Sequence, residues 1–231
     1  MSNEKYIARV LIVDDEVDTL EFLEYNLRNK GYEVRSAANG NKAFEILKSF
    51  QPDIILLDYM MPEMDGMEFL KKFRKINPAN QCLVAFLTAK NTDETQIESL
   101  ELGADDFIAK PIKPNVLASR MSALLRRRQE YSKLSQNDDI RFEDVVINPE
   151  SFSVTVGNEV IAFPRKEFQL LYLLAEKPGR VFRREEILQA IWGDDVLVGE
   201  RTVDVHIRKI REKLKDRFIK TIKGIGYKLE F

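Results

Sequence analysis

The stretch DIILLDYMMP, residues 53 to 62, decides how the rest of the chain is read. Four apolar residues, Ile54 to Leu57, run into Asp58, and Pro62 follows within four positions. A short apolar run bounded by a charge and a proline fits a strand buried on both faces of a parallel sheet. Asp58 then stands at the strand's carboxyl end, the edge at which an open doubly wound sheet binds its ligands. Taken alone, such a residue has an ordinary alternative, an aspartate that caps a loop.

Two further stretches repeat the pattern. The run Val10 to Val13 ends in Asp14 and Asp15, and the run Cys82 to Leu87 ends in Thr88, while Lys110 and Pro111 follow the apolar run Phe107 to Ala109. Three carboxylates brought to one crevice repel by roughly 4 kcal/mol per pair at 4 Å and an effective dielectric near 20, so a cation belongs among them. Oxygen-only ligands with one lysine suit Mg²⁺ and a phosphoryl group. Lys110 supplies a point charge for one phosphoryl oxygen and Thr88 a hydroxyl donor for another.

Paired acids after the first strand, Asp58 after the third, Thr88 after the fourth and Lys110 before a proline after the fifth resemble the receiver domain of two-component response regulators. The resemblance covers residues 7 to 128. It implies that Asp58 accepts a phosphoryl group from a phosphohistidine on a sensor histidine kinase. It also implies that Asp14, Asp15, Asp58 and the backbone carbonyl of Met60 hold Mg²⁺, and that Thr88 and Phe107 form the switch that reports phosphorylation.

Composition bounds the alternatives. A chain of 231 residues, 44% of them hydrophobic, is long enough for two domains with their own cores. Because no run reaches 18 apolar residues and MSNEKYIARV has no hydrophobic signal region, neither a membrane span nor an export signal is expected, and a cytoplasmic protein is the default. One cysteine, Cys82, excludes an internal disulfide, and one histidine, His206, leaves little material for zinc sites or histidine triads. The net charge of −2 hides an asymmetry. Residues 1 to 128 hold 18 Lys and Arg against 20 Asp and Glu, whereas residues 201 to 231 hold 10 against 4, a basic end that points to an anionic partner or to a solvated helix face.

From Ala8 to Arg127 short apolar runs alternate with helical periods, which predicts an α/β fold of five βα units around a parallel sheet. Glu33 to Ala37 is the expected second strand. Leu20, Leu23 and Leu27 mark one helix; Ala43, Ile46, Leu47 and Phe50 a second; Phe69, Leu70, Phe73 and Ile76 a third, entered after Asp65 and Gly66. A further helix is expected over Thr95 to Leu102 with its stop at Gly103, and the last from about Asn115 to Arg128, after Pro114. Gln129 to Asp139 is polar without period and reads as a linker. The division is thus 1 to 128, 129 to 139 and 140 to 231.

Past Ile140 the pattern changes to short strands, Val145 to Ile147, Ser153 to Val156 and Glu159 to Ala162, the last two joined at Gly157 and Asn158. Three helices follow. Phe168, Leu170, Leu171, Leu173 and Leu174 mark the first; Ile187, Leu188, Ile191 and Trp192 the second, which stops at Gly193. The third begins near Arg201 with Val203, Ile207, Ile210 and Leu214 on its core face and Arg201, Val205, Arg208, Lys209 and Glu212 opposite. Phe218 to Ile222 and Tyr227 to Phe231 then bracket Lys223, Gly224, Ile225 and Gly226 as a terminal hairpin. A basic helix fits a major groove, and a basic hairpin can track the backbone or reach the minor groove.

RTVDVHIRKIREKL followed by IKGIGYKLEF resembles the recognition helix and wing of a winged-helix DNA-binding domain, and with the strands before it residues 140 to 231 are similar to the OmpR/PhoB family of response regulators. The fold implied is a five-stranded parallel doubly wound receiver followed by a winged helix-turn-helix of α+β type. Contacts with double-stranded DNA are implied for Arg201, Thr202, Val205, Arg208, Lys209, Arg211 and, in the wing, Lys223. The family also implies a phosphorylation-promoted homodimer through a face that includes Glu101, Asp105, Asp106, Arg120 and Arg127, with Gln96 and Val116 standing where it usually carries charges. Asp194 to Glu200 corresponds to a surface for RNA polymerase, or is an ordinary acidic loop. His206 lies at the flank of the core face, packed or touching a phosphate.

Two other functions fit the same residues less well. A Mg²⁺-dependent phosphatase with an Asp nucleophile needs a base for water, and neither Met60 nor Ala89 is one. A receiver with a protein-binding output module is the second. Salt-sensitive retention of residues 140 to 231 on duplex DNA separates it from a transcription regulator.

Overall fold

The computed structural model describes residues 6–76, 82–89, 102–134, 139–193 and 201–231, with backbone only for 127–134. Five parallel strands form the first sheet in the order β2-β1-β3-β4-β5: β1 Arg9–Val13, β2 Glu33–Ala37, β3 Ile54–Asp58, β4 Leu83–Thr88 and β5 Asp106–Ala109. Every residue of β3 and β4 is buried, as the unbroken apolar runs require of central strands covered on both faces. Successive side chains point to opposite faces. Val10, Ile12, Ile54, Leu56 and Ala85 pack under Leu20, Leu23 and Leu27 of α1, Val17–Arg28, and under Leu117, Met121 and Leu124 of the long helix that begins at Pro114. Leu11, Val13, Ile55, Leu57 and Phe86 face Ala43 of α2, Gly40–Leu47, and Phe69, Leu70 and Phe73 of α3, Gly66–Ile76.

Local chemistry starts the helices. Asn39 Oδ1 accepts from Lys42 N at 2.9 Å to cap α2, and Asp65 Oδ1 accepts from Glu68 N at 2.7 Å in the first turn of α3. Ile76 departs from the expected core stripe: it is the last residue of α3 and 72% exposed. Phe50 lies beyond the end of α2 yet is buried. The sheet order changes direction between β1 and β3, so Asp14 and Asp58 end neighbouring strands.

The helix α4, Pro114–Leu134, runs past the expected end at Arg128 into the stretch read as linker. Gln, Glu, Lys and Leu between 129 and 134 are good helix formers with no glycine or proline among them, so polarity alone does not stop the helix. The helix expected over Thr95 to Leu102 lies outside the described residues, except that Leu102 and Gly103 form a turn.

The second unit opens with an antiparallel sheet in the order β6-β7-β8-β9: Ile140–Phe142, Val145–Asn148, Ser153–Val156 and Glu159–Ala162. Three helices follow, α5 Arg165–Ala175, α6 Arg184–Trp192 and α7 Arg201–Lys213. A second small sheet, in the order β10-β12-β11, joins β10 Phe182–Arg183 to the terminal hairpin of β11 Ile219–Ile222 and β12 Gly226–Leu229. Gly226 is required there: a Cβ would stand 1.9 Å from Phe182 O across the pairing of β10 with β12. Phe163, Phe168, Ile187, Trp192, Val203, Ile207, Ile210 and Tyr227 share one core. No described helix is long and apolar enough to cross a membrane.

Candidate functional site

The carboxyl edge of the first sheet gathers the charged residues that the apolar strands carry to it. Asp14, just past β1, is fully buried, and Asp58, the last residue of β3, is 5% exposed. Lys110, just past β5, places its Nζ 2.8 Å from Asp58 Oδ1 and 2.9 Å from Asp14 Oδ2. Asp14 Oδ1 accepts from Glu16 N at 3.0 Å and Asp58 Oδ2 from Met60 N at 3.0 Å. Asp14 Oδ2 is close to the ammonium but has no aligned hydrogen-bond donor, so that contact is one of charge. Asp15 is exposed beside them, and one oxygen from each of Asp14, Asp15 and Asp58 lies within 4.8 Å of the others.

Burial dominates the titration of Asp58 and raises its pKa; Asp14 pushes the same way, and hydrogen bonds from Lys110 and Met60 with the lysine charge oppose it. For Lys110 burial works against the charged form, but Asp58 and Asp14 outweigh it and the pKa rises. Glu16 completes the charge cluster. Its carboxylate accepts from Thr19 Oγ1 at 2.8 Å and lies 3.7 Å from Lys110 Nζ, and both neighbours lower its pKa, Thr19 more. No motif in the sequence singles out Glu16, whose place beside Lys110 is set by the fold. In the sequence Gly66 reads only as a turn residue. Its backbone runs so near Asp58 that a Cβ would lie 2.3 Å from Asp58 O.

Thr88 ends β4, is buried, and through its carbonyl accepts from Lys110 N at 2.8 Å. Phe107 on β5 is half-buried and stacks on Phe86 with ring centres 5.8 Å apart, while Phe86 meets Tyr59 edge-on at 5.6 Å. Phe107 packs against the cores of both units.

The expected dimer face is only partly what the pattern suggests. Asp105 is 1% exposed: its carboxylate accepts from Val84 N at 2.9 Å and from Arg74 at 3.2 Å, and Arg165 of the second unit lies 4.0 Å away. It is an internal anchor for β4 and α3 and not a surface charge. Asp106 is also buried and pairs with Arg120 at 3.1 and 3.2 Å within the same chain. Val116 is half exposed in a groove that Asp106, Ser119 and Arg120 also line. Glu101, Gln96 and the side chain of Arg127 lie outside the described residues.

In the second unit α7 buries Val203, Ile207 and Ile210, with Leu214 buried just past its end, and turns Arg201 and Arg208 outward, Arg208 lying 3.6 Å from Glu212. Val205 and Lys209 are half-buried on that outward side, and Lys223 is exposed in the hairpin loop. One expected contact is displaced. Thr202 is buried, because the core face of α7 is wider than its aliphatic stripe: His206, one turn on, packs edge-on against Trp192 at 5.0 Å. Arg211 is half-buried and donates to Ile219 O at 3.1 Å and Thr221 Oγ1 at 2.8 Å. His206 is packed, with Nδ1 2.9 Å from Thr202 O. Asp194 to Glu200 lies outside the described residues.

Comparison with known proteins agrees with this arrangement. Residues 10–122 match the family model of the response regulator receiver domain, and residues 157–229 match that of the transcriptional regulatory protein C terminus. A cysteine-to-serine mutant of RitR is 28% identical, covers 96% of this chain and 99% of its own, and superposes with a TM-score of 0.79. DrrB of Thermotoga maritima, an OmpR/PhoB homolog, is 30% identical over 96% of this chain and 99% of its own, with a TM-score of 0.49. The receiver domain of a Francisella response regulator is 32% identical over 52% of this chain and 98% of its own, with a TM-score of 0.48. The two family models, a receiver over the first unit and a transcriptional regulatory C terminus of the OmpR/PhoB type over the second, identify the chain as a two-component response regulator that acts as a transcription regulator.

Proposed function

We propose that Asp58 is the phosphoacceptor and that a sensor histidine kinase supplies the group as a phosphohistidine. The observation that carries this reading is a buried carboxylate at a strand end, held by Lys110 at 2.8 Å. One carboxylate oxygen of Asp58 attacks phosphorus in line, the nitrogen-phosphorus bond breaks, and the imidazole leaves with its electron pair. Lys110 is placed to take a phosphoryl oxygen as the new dianion forms, and the Thr88 hydroxyl to donate to another. Drawing Thr88 inward vacates space beside Phe107, which makes the two the switch.

The donor set fits a hard cation. Asp14, Asp15 and Asp58 offer oxygens within 4.8 Å, and the buried Asp14 Oδ2 has no aligned donor of its own. Those three, with the carbonyl of Met60, would hold Mg²⁺, which when bound supplies charge neutralisation for the incoming phosphate. The chain is a stoichiometric acceptor and not an enzyme in this reading, since the nucleophile is consumed until the acyl phosphate is hydrolysed.

The division into a receiver at 1 to 128, a linker at 129 to 139 and a DNA-binding domain at 140 to 231 belongs to the same proposal, with the first part of the linker continuing α4. Arg201, Val205, Arg208 and Lys209 on α7 meet the major groove of double-stranded DNA and Lys223 the backbone or minor groove. Phosphorylation promotes a homodimer, the chain works in the cytoplasm, and RNA polymerase is a partner through Asp194 to Glu200.

Incubation with labelled acetyl phosphate, followed by peptide mapping and gel retardation on duplexes selected from a random pool, tests the reading. One acid-labile phosphate per chain on Asp58 is expected. Arg208→Ala should cost roughly 1–3 kcal/mol of specific binding if the side chain reads a base, and Lys223→Ala should weaken all sequences and lower the salt slope by about one. Stoichiometric acid-stable phosphate on another residue, or affinity indifferent to salt and to both substitutions, would overturn it.

A further inference from the structure

One carboxylate oxygen of the recognition helix ties three elements together. Asp204 stands in the first turn of α7, Arg184 opens α6, and Tyr227 lies on β12. Arg184 Nε donates to Asp204 Oδ1 at 2.7 Å, the Tyr227 hydroxyl donates to the same oxygen at 2.7 Å, and the Arg184 guanidinium donates to the Tyr227 hydroxyl at 3.2 Å. The Arg184 guanidinium also lies over the Tyr227 ring, 4.9 Å from its centre. Arg211, from the far end of α7, is 5.8 Å from the same ring and hydrogen-bonds Ile219 and Thr221 of β11. Tyr227 pairs with Phe182 on one side and Thr221 on the other, so whatever holds its hydroxyl holds the whole hairpin.

An acid on a helix that presents Arg201, Arg208 and Lys209 repels the phosphates those residues attract. Its place in the first turn gains from the helix dipole, but any first-turn acid would gain as much, and the dipole does not require Arg184 and Tyr227 to converge on it. What the convergence does is fix the wing against the helix. A recognition helix in a major groove and a hairpin reaching the backbone or minor groove bind together only if their separation matches the duplex.

We propose that Arg184, Asp204 and Tyr227 are positioning residues that set the separation of recognition helix and wing, so that Lys223 reaches DNA when α7 is seated. The proposal rests on the DNA-binding reading above, and its test separates the two. Charge-assisted hydrogen bonds that act by ordering give coupling: removing one changes what its distant beneficiary is worth.

The experiment is a double-mutant cycle in the full chain, Tyr227→Phe against Lys223→Ala, measured on a selected duplex and on an unrelated duplex of equal length. Tyr227→Phe keeps the ring and should weaken specific binding by about three- to tenfold, with little change on the unrelated duplex. Lys223→Ala should cost clearly less in the Tyr227→Phe background than in the wild type. Asp204→Asn removes a negative charge and should raise affinity for the unrelated duplex while lowering it for the selected one, opposite signs that a general loss of fold cannot produce. Should Tyr227→Phe fail to fold, Asp204→Asn decides by the same two measurements. Additive losses in the cycle, or a rise on both duplexes in Asp204→Asn, overturn the clamp. If Lys223→Ala is silent in the wild type, the wing reading falls and the proposal with it.

Discussion

Lys110 and Asp58 meet at 2.8 Å on the carboxyl edge of the sheet, and Asp14 shares the same ammonium at 2.9 Å. Two buried carboxylates on one cation leave Asp58 with a raised pKa, burial being the largest cause. The folded state then holds this proton up to a higher pH than the unfolded chain does, so stability falls as pH rises through that window. Asp58→Asn removes the penalty and leaves Lys110 to Asp14. The variant should take up no phosphate from acetyl phosphate and should unfold at a higher temperature than the wild type at pH 7, with the gap closing toward pH 3, where both states are protonated. Calorimetry at the two pH values decides it; a variant less stable at pH 7 would mean that the ion pair contributes more than the repulsion.

Gly66 supports the same carboxylate from behind. A Cβ at this position would stand 2.3 Å from Asp58 O and 2.8 Å from Phe86, and the first of these is backbone that cannot swing aside. Gly66→Ala should cost about 1–3 kcal/mol in urea unfolding and slow phosphate uptake, because the strand end that carries Asp58 has to move. Uptake at the wild-type rate in a destabilised variant would separate the packing of α3 from the site.

How far the chain could be read from its residues follows from where each element takes its definition. β1, β3 and β4 are apolar runs with abrupt polar ends, so Asp14, Asp58 and Thr88 could be placed by counting. β10, Phe182–Arg183, has two residues and no period; it exists because Phe182 pairs with Tyr227 far along the chain. The three residues of β6 are equally silent. Asp105 and Asp106 are adjacent acids in the sequence, yet Asp105 is claimed by Arg74, which lies 31 positions earlier. Thr202, a DNA contact only by the resemblance, is buried on the face where His206 packs against Trp192, a width of core face that a helix wheel does not contain. Glu16, Gly66 and the cluster at Asp204 are likewise products of tertiary approach.

His206, the only histidine in the chain, is a clean probe of the second unit's core. Its Nδ1 lies 2.9 Å from a carbonyl, which can only accept, so the neutral ring carries its proton there. Burial, first, and the charges of Lys209 and Lys166 push its pKa down to about 4. Below the ordinary value near 6.5 the unfolded chain binds a proton that the folded one refuses, so stability present above that pH is lost on acidification and the loss levels off below about 4. The total is about 3 kcal/mol. The imidazole resonance should stay at its neutral position from pH 8 to pH 5 in an NMR titration; a midpoint near 6.5 would put the ring in water.

Arg120 and Asp106 bear on assembly. Arg120 reaches both oxygens of Asp106 within one chain, and Asp105 is held inside by Arg74 and Val84, so two of the acids expected on the dimer face are already satisfied before a second copy arrives. A two-fold interface repeats every deficit, which removes two contacts for each acid withheld. Partly exposed pairs contribute about 0–1 kcal/mol each, so the loss weakens a dimer severalfold without forbidding it, and the half-exposed Val116 offers apolar area in partial compensation. The expected outcome is a monomer without phosphate and a weak dimer with beryllofluoride as the phosphoryl mimic. Arg120 also lines the groove that holds Val116, so Arg120→Ala should still shift that dimer toward monomer severalfold. Because Asp106 is buried, the substitution also leaves a carboxylate without its guanidinium, so thermal unfolding of the monomer has to be followed alongside sedimentation. A variant that keeps its fold and dimerises as the wild type does would remove Arg120 and Asp106 from the interface.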